Sequence, residues 1–470
     1  MNTFNIKFII DACKGTLLTK NISSDNHSLE SKAGNEANLT ISDFCIDSRQ
    51  AGRNSLFIPI IGKRHDAHDY IKAVYDRGCR LTLTSKRDIE LICGMNYIYV
   101  ENTVKALQDI ALTHRKRLNI PLIGITGSVG KTTTKEMLWY ALSAEKKVFK
   151  TPANHNSQIG VPLTLLEIDE SYELGVIELG ISEPKEMERI AALVMPDAAV
   201  ITNIGNAHIL ALKSREGIRD EKFRIMEGMK KGSTIFLNAD DEILSTSKVY
   251  EGFVREYYSG KKRCDYYAYD IEMKSGLAHF KAQIKAEVVE VSLNVYGMHQ
   301  VANAVAALAV AAHYKIGLQA AAKRLGEFTG FKHRQQIYNS EGVTIIDDTY
   351  NASPESMKAA INILKDIECN GKRVAVLADM KELGKDEVAL HKQIGSYLVE
   401  TDAADVILTY GELAFYIFDE AAALKPQIEG EAFYDFEGLK KGVDKILKSG
   451  NTVLFKGSNG MGLFRLLEQR

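Results

Sequence analysis

The sequence predicts an α/β protein with three domains, and three observations lead to this prediction. The length of 470 residues suggests about three domains of ordinary size. From about residue 120 onward, short apolar runs typical of buried strands alternate with stretches of helical spacing, which indicates parallel sheets with crossover helices. A glycine-rich turn near residue 127 joins one such strand to one such helix, as phosphate-binding loops do.

The first predicted domain, residues 1–118, is a small α/β unit of short alternating strands and helices. Its polar segment 21–40 has the composition of an exposed loop. One strand runs into the polar corner Asp47-Ser48-Arg49, and a second strand covers residues 55–61. The corner could bind a polar or anionic ligand, although a solvated turn is the commoner role for such residues.

The second predicted domain, residues 119–330, opens with a buried strand and a loop that reads Gly127-Ser128-Val129-Gly130-Lys131-Thr132. The backbone N–H groups of such a loop curl round an anion at a helix N-terminus, while the lysine reaches outer phosphates and the threonine hydroxyl is available to Mg²⁺. Ile125 stands where the strict eight-residue pattern has a glycine, so a turn that binds no nucleotide remains the alternative. The loop nevertheless favours a P-loop ATPase-like domain with a parallel sheet.

Two candidate metal ligands follow later strands of this domain, which are predicted at 148–150, 174–179, 199–203 and 234–237. Ligands of parallel sheets lie beyond the carboxyl ends of the strands, where Glu178 and His208 are found. A carboxylate there can bind Mg²⁺, and a neutral imidazole can add a nitrogen ligand. For each residue the alternative is a polar strand end satisfied by backbone, which is the commoner role of a lone histidine. The amide-rich loop 151–158 could bind a substrate or simply make turns.

A β-rich stretch from residue 257 to 296 and an alanine-rich helix at 299–315 complete the second domain. So many alanines indicate a helix that packs closely against a neighbour. Asn303 is one of its few polar groups and has the donor and acceptor needed to bind a purine, although a surface amide is the commoner role.

The third predicted domain, residues 331–470, is a Rossmann-like α/β unit. Strands at 343–347, 373–378, 406–409 and 452–455 alternate with helices at 354–367, 386–400, 412–423 and 437–448. No G-x-G-x-x-G pattern follows a strand here, which disfavours a dinucleotide cofactor. Polar corners follow three of the strands, at 347–351, 379–384 and 456–460, and together would suit a small zwitterionic substrate.

Composition excludes several other classes of protein. With 59 Lys+Arg against 61 Asp+Glu the net charge is -2, so no overall basic field attracts nucleic acid. The six cysteines show no C-x-x-C spacing, which argues against a disulfide framework or a zinc site. No stretch approaches the roughly 20 apolar residues of a membrane span, and the N-terminus lacks a cleavage pattern, so we expect a cytoplasmic protein.

Taken together, the motifs resemble the Mur ligase family over nearly the full chain. The segments that carry the resemblance are 47–49, 124–136, 154–162, 178–180, 202–208, 296–304, 347–356, 378–384, His391 and 456–458. The resemblance implies an ATP-dependent ligase of cytoplasmic peptidoglycan precursor synthesis. In this reaction ATP phosphorylates the terminal carboxylate of UDP-N-acetylmuramoyl-tripeptide, and the amine of D-Ala-D-Ala displaces the phosphate. These two substrates are the implied partners, and the implied protein is a monomer that binds no nucleic acid and inserts into no membrane.

The resemblance also implies roles for individual residues. Catalytic roles fall to Lys131, His208 and Lys222, the last as a carbamylated lysine. Two Mg²⁺ sites are expected, one with Thr132 and Glu178 and one with His208 and Lys222. ATP would contact Gly127, Ser128, Val129, Gly130, Lys131, Thr132, Thr133, Asn303, Arg334 and Asp348. The substrates would contact Asp47, Ser48, Arg49, Asn154, Asn156, Tyr350 and Asn351. From the residues alone, Lys222 would instead be a solvated helix lysine.

Two alternatives to this function remain. The first is a sister ligase, either another Mur ligase or a folylpolyglutamate synthase-like enzyme, since these share the phosphate loop and the lysine. The segments DDTYNASPES at 347–356 and DMKELG at 379–384 speak against it. The second is a non-catalytic nucleotide-binding protein that regulates wall assembly.

Overall fold

The computed structural model describes residues 2–19 and 39–468. Within them the chain forms two small N-terminal sheets, a nine-stranded sheet and a six-stranded sheet. Most neighbouring strands in the three larger sheets are parallel and are joined through helices, which confirms the predicted α/β class. The exposed loop predicted at 21–40 falls almost wholly outside the described residues. No helix in the described ranges is long and apolar enough to cross a membrane.

The N-terminal part contains seven short strands and three helices within its described residues. They are β1 (Phe4–Asn5), α1 (Ile6–Cys13), β2 (Thr16–Thr19), β3 (Thr40–Ile41), β4 (Asp43–Cys45), β5 (Ser55–Phe57), α2 (Ile71–Asp76), β6 (Leu81–Thr84), β7 (Asn96–Tyr99) and α3 (Thr103–Arg115). β1 pairs with β3, and the other strands form a sheet in the order β2-β7-β6-β5-β4. The strand predicted at 55–61 ends at Phe57, because Pro59 has no N–H group to continue a ladder.

The central part is built on the nine-stranded sheet. Its elements are β8 (Leu122–Thr126), α4 (Lys131–Leu142), β9 (Val148–Lys150), α5 (Gly160–Glu167), β10 (Leu174–Glu178), α6 (Glu186–Val194), β11 (Ala198–Ile201), α7 (Ile209–Leu212), α8 (Arg215–Phe223), β12 (Thr234–Asn238), α9 (Glu242–Thr246), β13 (Val254–Ser259), β14 (Tyr266–Lys274), β15 (Leu277–Ile284), β16 (Glu287–Tyr296), α10 (His299–His313) and α11 (Leu318–Leu325). The strand order is β16-β15-β14-β13-β12-β11-β8-β10-β9, with antiparallel pairs only in the β14–β16 arm. The alanine-rich α10 packs closely on α4, as its composition predicts.

The position of β8 in this sheet decides where a ligand can bind. β8 lies between β10 and β11, so the chain leaves it toward one side of the sheet and returns on the other. Such a point of reversal opens a crevice at the carboxyl ends of the strands. The loop 127–130 begins there, directly before α4.

The C-terminal part is built on the six-stranded sheet, in the order β17-β18-β22-β19-β20-β21. Its elements are β17 (Gln336–Ser340), β18 (Val343–Asp348), α12 (Pro354–Asp366), β19 (Arg373–Ala378), α13 (Glu387–Thr401), β20 (Val406–Tyr410), α14 (Phe415–Leu424), β21 (Glu429–Phe433), α15 (Phe436–Ile446) and β22 (Thr452–Lys456). Short 3-10 turns in the whole described chain cover Ala67–Tyr70, Arg224–Gly228, Gly384–Asp386, Asn459–Met461 and Leu463–Leu466. Only β17 runs antiparallel to its neighbour.

One predicted helix begins later than expected. α14 starts at Phe415 rather than at residue 412, because the N–H groups of Leu413 and Ala414 are bound by the buried carboxylate of Asp379. Asp379 Oδ1 accepts both, at 3.1 and 2.8 Å. The turn before α14 is therefore fixed to the end of β19, next to the corner 379–384.

Candidate active site

A cleft of about 760 Å³ lies between the nine-stranded and six-stranded sheets. One wall consists of residues that follow β8, β9, β10 and β11 together with the first turn of α10. The opposite wall consists of residues that follow β18, β19 and β22, together with Arg334 and Gln335. The strand ends that the sequence marked as polar in two separate domains therefore face one another.

The loop 127–132 has the geometry of an anion cradle. Gly127 and Gly130 have φ values of 155° and 82°, and a Cβ on Gly127 would lie 1.8 Å from Thr202 Oγ1. The loop is anchored to the end of β11, since Ser128 N and Val129 N donate to the carbonyl and the side-chain oxygen of Asn203 at 3.0 and 2.9 Å. The N–H groups at the start of α4 face the cleft and can bind phosphate.

Lys131 bends back over this loop. Its Nζ donates to the carbonyls of Gly127 and Ser128 at 2.7 and 3.3 Å. Burial in the cleft lowers the pKa of Lys131, Glu178 opposes that change, and the nearby Arg334 adds to it. The ammonium is thus held where an outer phosphate would replace two carbonyls as its partner.

Glu178 at the end of β10 has the features of a metal ligand. Its carboxylate is 1% exposed, and Oε1 accepts from Thr132 Oγ1 at 3.2 Å and from Asn156 Nδ2 at 2.8 Å. Oε2 is buried, has no hydrogen bond to any residue that the structure describes, and lies 3.7 Å from Lys135 Nζ. Within the described residues no group of three or more His, Cys, Asp or Glu side chains could hold a metal. One carboxylate, one hydroxyl and phosphate oxygens are nevertheless the donors that Mg²⁺ takes in nucleotide sites, so these residues fit that ion.

His208 and Lys222 complete this side of the cleft. His208 has a left-handed backbone with φ 64°, and its Nδ1 lies 2.9 Å from Oε2 of Glu382 on the opposite wall. Burial lowers the pKa of His208, and Glu382 opposes that change. Lys222 on α8 is 2% exposed and does not line the cleft, but burial lowers its pKa far below the usual value and Lys131 adds to the effect.

Several predicted residues lie on the C-terminal wall or beside the loop. The Arg334 guanidinium stacks 3.7 Å from the centre of the Tyr350 ring. Asp348 Oδ2 is paired with the buried Lys456 at 2.6 Å. Asn303 packs against Gly130, and protein groups already bind its amide: Oδ1 accepts from Thr134 Oγ1 at 3.2 Å, and Nδ2 donates to Gln300 Oε1 at 2.9 Å.

The structure brings most of the predicted site residues into one cleft and leaves others outside it. Those that line the cleft are Ser128, Val129, Gly130, Lys131, Thr132, Thr133, Asn154, Asn156, Glu178, His208, Asn303, Arg334, Asp348, Tyr350 and Asn351. Gly127 and Lys222 are buried behind it. Asp47, Ser48 and Arg49 do not line it. At that N-terminal corner Arg49 pairs with Asp47 at 2.7 Å and lowers the pKa of Asp47 to about 2.

No role was predicted for Lys135 from the sequence, whereas Glu382 and Lys456 were predicted as parts of the polar corners 379–384 and 456–460. Lys135 is 1% exposed and donates to the carbonyls of Thr151 and Ala153 at 2.9 and 3.1 Å, which holds the amide-rich loop next to Glu178. A signal was present, because Lys135 follows Lys131 by four positions and so lies on the same helix face. The pairing of Lys456 with Asp348 and of Glu382 with His208 gave no such signal, since the partners are distant in sequence.

Comparison with known proteins identifies the family. The family model described as "Mur ligase middle domain" matches residues 125–311, and the family model described as "Mur ligase, glutamate ligase domain" matches residues 333–459. A UDP-N-acetylmuramoyl-tripeptide--D-alanyl-D-alanine ligase from Bacillus subtilis (strain 168) is 35% identical, over 90% of this chain and 91% of that protein. The chain belongs to the Mur ligase family.

Solved structures of Mur ligases share this architecture. A crystal structure of MurF from Acinetobacter baumannii has a TM-score of 0.88 at 27% identity and covers 100% of this chain and 99% of that one. The MurF ligase from Thermotoga maritima in complex with ADP has a TM-score of 0.78 at 27% identity and covers 91% and 96%. The resemblance predicted from the motifs is confirmed for this Mur ligase.

Proposed function

We propose that this Mur ligase joins D-Ala-D-Ala to UDP-N-acetylmuramoyl-tripeptide with ATP, as the relatives that match almost its whole length are named for doing. The observation that carries the proposal is the single cleft in which the phosphate loop and the buried Glu178 face the polar corners of the C-terminal sheet. An inert carboxylate, a nucleotide and an amine must meet in such a reaction, and the cleft offers groups suited to each.

The first step would transfer a phosphoryl group to the substrate. A carboxylate oxygen of the tripeptide attacks the γ-phosphorus of ATP, the bond to the bridging oxygen breaks, and ADP leaves. Lys131 and the amides of loop 127–132 would hold the phosphates in line, with Arg334 on the opposite wall. Thr132 and Glu178 would hold Mg²⁺, which when bound neutralises phosphate charge. Aligning and neutralising this charge is the main task of the residues here.

The second step would form the amide. The D-Ala-D-Ala amine attacks the acyl carbon, the carbon–oxygen bond to the phosphate breaks, phosphate leaves, and the amine gives up a proton to solvent. Polar corners at 347–351, 379–384 and 456–460 lie on the wall from which the dipeptide would approach. Because one chain supplies both walls, the arrangement supports a monomer. Both ATP and a UDP-linked substrate are cytoplasmic compounds, which supports a cytoplasmic location for this protein.

Lys222 would contribute to a second Mg²⁺ site as a carbamate, together with His208. Its lowered pKa supports this, because a neutral amine can add to CO₂, forming an N–C bond and releasing a proton to solvent. Replacing Lys222 by Ala should reduce turnover strongly, and acetate or another short carboxylate should partly restore it. Full turnover in the variant without any added carboxylate would remove Lys222 from the site.

The remaining predicted contacts with the substrates and the nucleotide are assigned to the three predicted domains, whose boundaries lie after residues 118 and 330. Residues 1–118 would bind the UDP end at Asp47, Ser48 and Arg49, while Asn154 and Asn156 would lie near the muramyl peptide. Tyr350 would act mainly by holding Arg334, since it stacks on that guanidinium. Asn303 would help shape the nucleotide site from beside Gly130.

The test is substrate-dependent release of ADP and phosphate by the purified protein. We expect release only when UDP-N-acetylmuramoyl-tripeptide and D-Ala-D-Ala are both present, and none from a Lys131→Ala variant. Release with a free amino acid in place of the dipeptide would favour a sister ligase. ATP binding without release under any of these conditions would favour a regulator and contradict the proposal.

A further inference from the structure

The loop 203–208, here called the histidine loop, is held on one side by the central part of the chain. Besides the contacts of Asn203 with the phosphate loop, Gly205 N donates to Ser128 Oγ at 2.9 Å. Ile204 N donates to Asp241 Oδ2 at 2.8 Å. The first three residues of the histidine loop are thus fixed to the phosphate loop and to the end of β12.

The next residue, Asn206, is held by the C-terminal part instead. Oε1 of Glu355 accepts from Asn206 N at 3.0 Å and from Asn206 Nδ2 at 2.9 Å, across 149 positions of sequence. The approach is close, since a Cβ on Gly205 would lie 2.8 Å from the Glu355 carboxyl carbon. Oε2 of Glu355 is buried and accepts no hydrogen bond from residues 2–19 or 39–468. The histidine loop is therefore shaped to receive this carboxylate.

The consequence of this contact reaches His208. Ile209 N donates to the carbonyl of Asn206 at 3.2 Å, so Asn206 and Ile209 close a turn with His208 inside it. His208 is in the left-handed region at φ 64°, a conformation that a residue with a side chain keeps only when its surroundings determine it. Fixing Asn206 fixes one end of that turn, and Glu382 holds the imidazole itself.

We propose that Glu355 is a positioning residue for His208 and acts through Asn206. Glu355 lies in the first turn of α12, so docking of the C-terminal part on the central part brings its carboxylate to the histidine loop. His208 then takes its place in the cleft only when the two walls are together. The proposal rests on the proposed function for its catalytic consequence, while the contact itself can be tested independently of turnover.

The experiment compares Glu355→Ala, Glu355→Gln and Asn206→Ala with the matched control Glu368→Ala. Glu368 lies in the same C-terminal part, is exposed, and loses the same charge when replaced. Glu355→Gln keeps an oxygen that can accept from Asn206. The two measurements are amide hydrogen exchange across residues 206–212 in the ligand-free protein and steady-state turnover with both substrates.

In Glu355→Ala we expect exchange at 206–212 to rise at least tenfold and kcat to fall at least tenfold, with KM for ATP within twofold of the parent. Asn206→Ala should act similarly, Glu355→Gln should stay within about threefold of the parent, and Glu368→Ala should match it. Equal exchange in Glu355→Ala and Glu368→Ala would overturn the proposal. So would a folded Glu355→Gln protein as impaired as Asn206→Ala. If the parent has no ligase activity, the proposed function fails, and the exchange data alone decide whether Glu355 orders the turn.

Discussion

Glu178 is the side chain on which the expected metal site depends most directly. Replacing it by Gln preserves the shape and one acceptor oxygen but removes the charge beside Thr132. We expect at least a 100-fold loss of turnover, because Mg²⁺ binds a neutral amide far more weakly than a carboxylate. ADP release measured across a range of Mg²⁺ concentrations checks this. Glu431→Gln, at an exposed position of β21, is the control, and wild-type turnover in the Glu178 variant would contradict the role.

The environment of His391 leads to a prediction about how the stability of the fold depends on pH. It is fully buried, its Nε2 accepts from Met380 N at 2.9 Å, and its Nδ1 donates to the carbonyl of Glu387 at 2.6 Å. Burial lowers its pKa, although the bond to Glu387 opposes this. Below the unfolded pKa of about 6.5, the imidazole of the unfolded chain binds a proton that the folded protein does not bind. The free energy of unfolding therefore falls as the pH falls through that value.

The urea unfolding midpoint should therefore drop between pH 7.5 and pH 5.5, and His391→Gln should show a smaller drop. Other histidines with lowered pKa values, among them His114, His299 and His313, supply the part of the drop that remains in the variant. An equal drop in both proteins would show that His391 does not titrate differently on folding.

At the scale of single elements, the phosphate loop depends on space as much as on chemistry. A Cβ at Gly127 would overlap Thr202, and the φ of 155° is unfavourable for any other residue. We expect Gly127→Ala to lower the free energy of unfolding by about 1–3 kcal/mol and to abolish nucleotide binding. Thermal unfolding and ATP titration measure both effects. Gly52→Ala, where an added Cβ meets no atom of the described part of the chain within 4 Å, should behave as the parent does.

Strands with a mostly apolar sequence were predictable from the sequence, and strands with a mostly polar sequence were not. The strands Val148–Lys150 and Arg373–Ala378 were predicted with their observed bounds. The edge strands β17 and β21 were missed, because almost none of their residues are buried and their sequences, QIYNS and EGEAF, lack the apolar pattern of a buried strand.

The same distinction holds for the site. The phosphate loop, Glu178 and His208 follow strands directly, so the rule for parallel sheets located them from local sequence. Lys456 was located in the same way, as part of the corner 456–460, but its pairing with Asp348 was not, because Asp348 is 108 positions away and the pair exists only after β18 and β22 align. The burial of Lys456 became visible only in the assembled sheet.

For the whole molecule, we expect movement between the walls of the cleft, because several of the contacts that join these walls are polar. They include Asn206 with Glu355, His208 with Glu382, and Gln300 with Gln335. Interfaces of this kind between domains usually permit relative motion. Small-angle scattering should show a smaller radius of gyration when a non-hydrolysable ATP analogue and UDP-N-acetylmuramoyl-tripeptide are added. The Lys131→Ala variant should not contract when the same ligands are added. An unchanged scattering profile in the parent protein would argue against closure of the cleft.

The way the cleft is divided between two sheets also determines what a fragment of the protein can do. Residues on its walls extend from Ser128 to Gly460, so no short continuous stretch of the chain contains the site. A piece that ended after α11 would keep the cradle for phosphate but would lose the surface that the incoming amine has to approach. Catalysis therefore requires the central and C-terminal parts together. Two separately expressed fragments would be active only if they associated so that both walls of the cleft formed again.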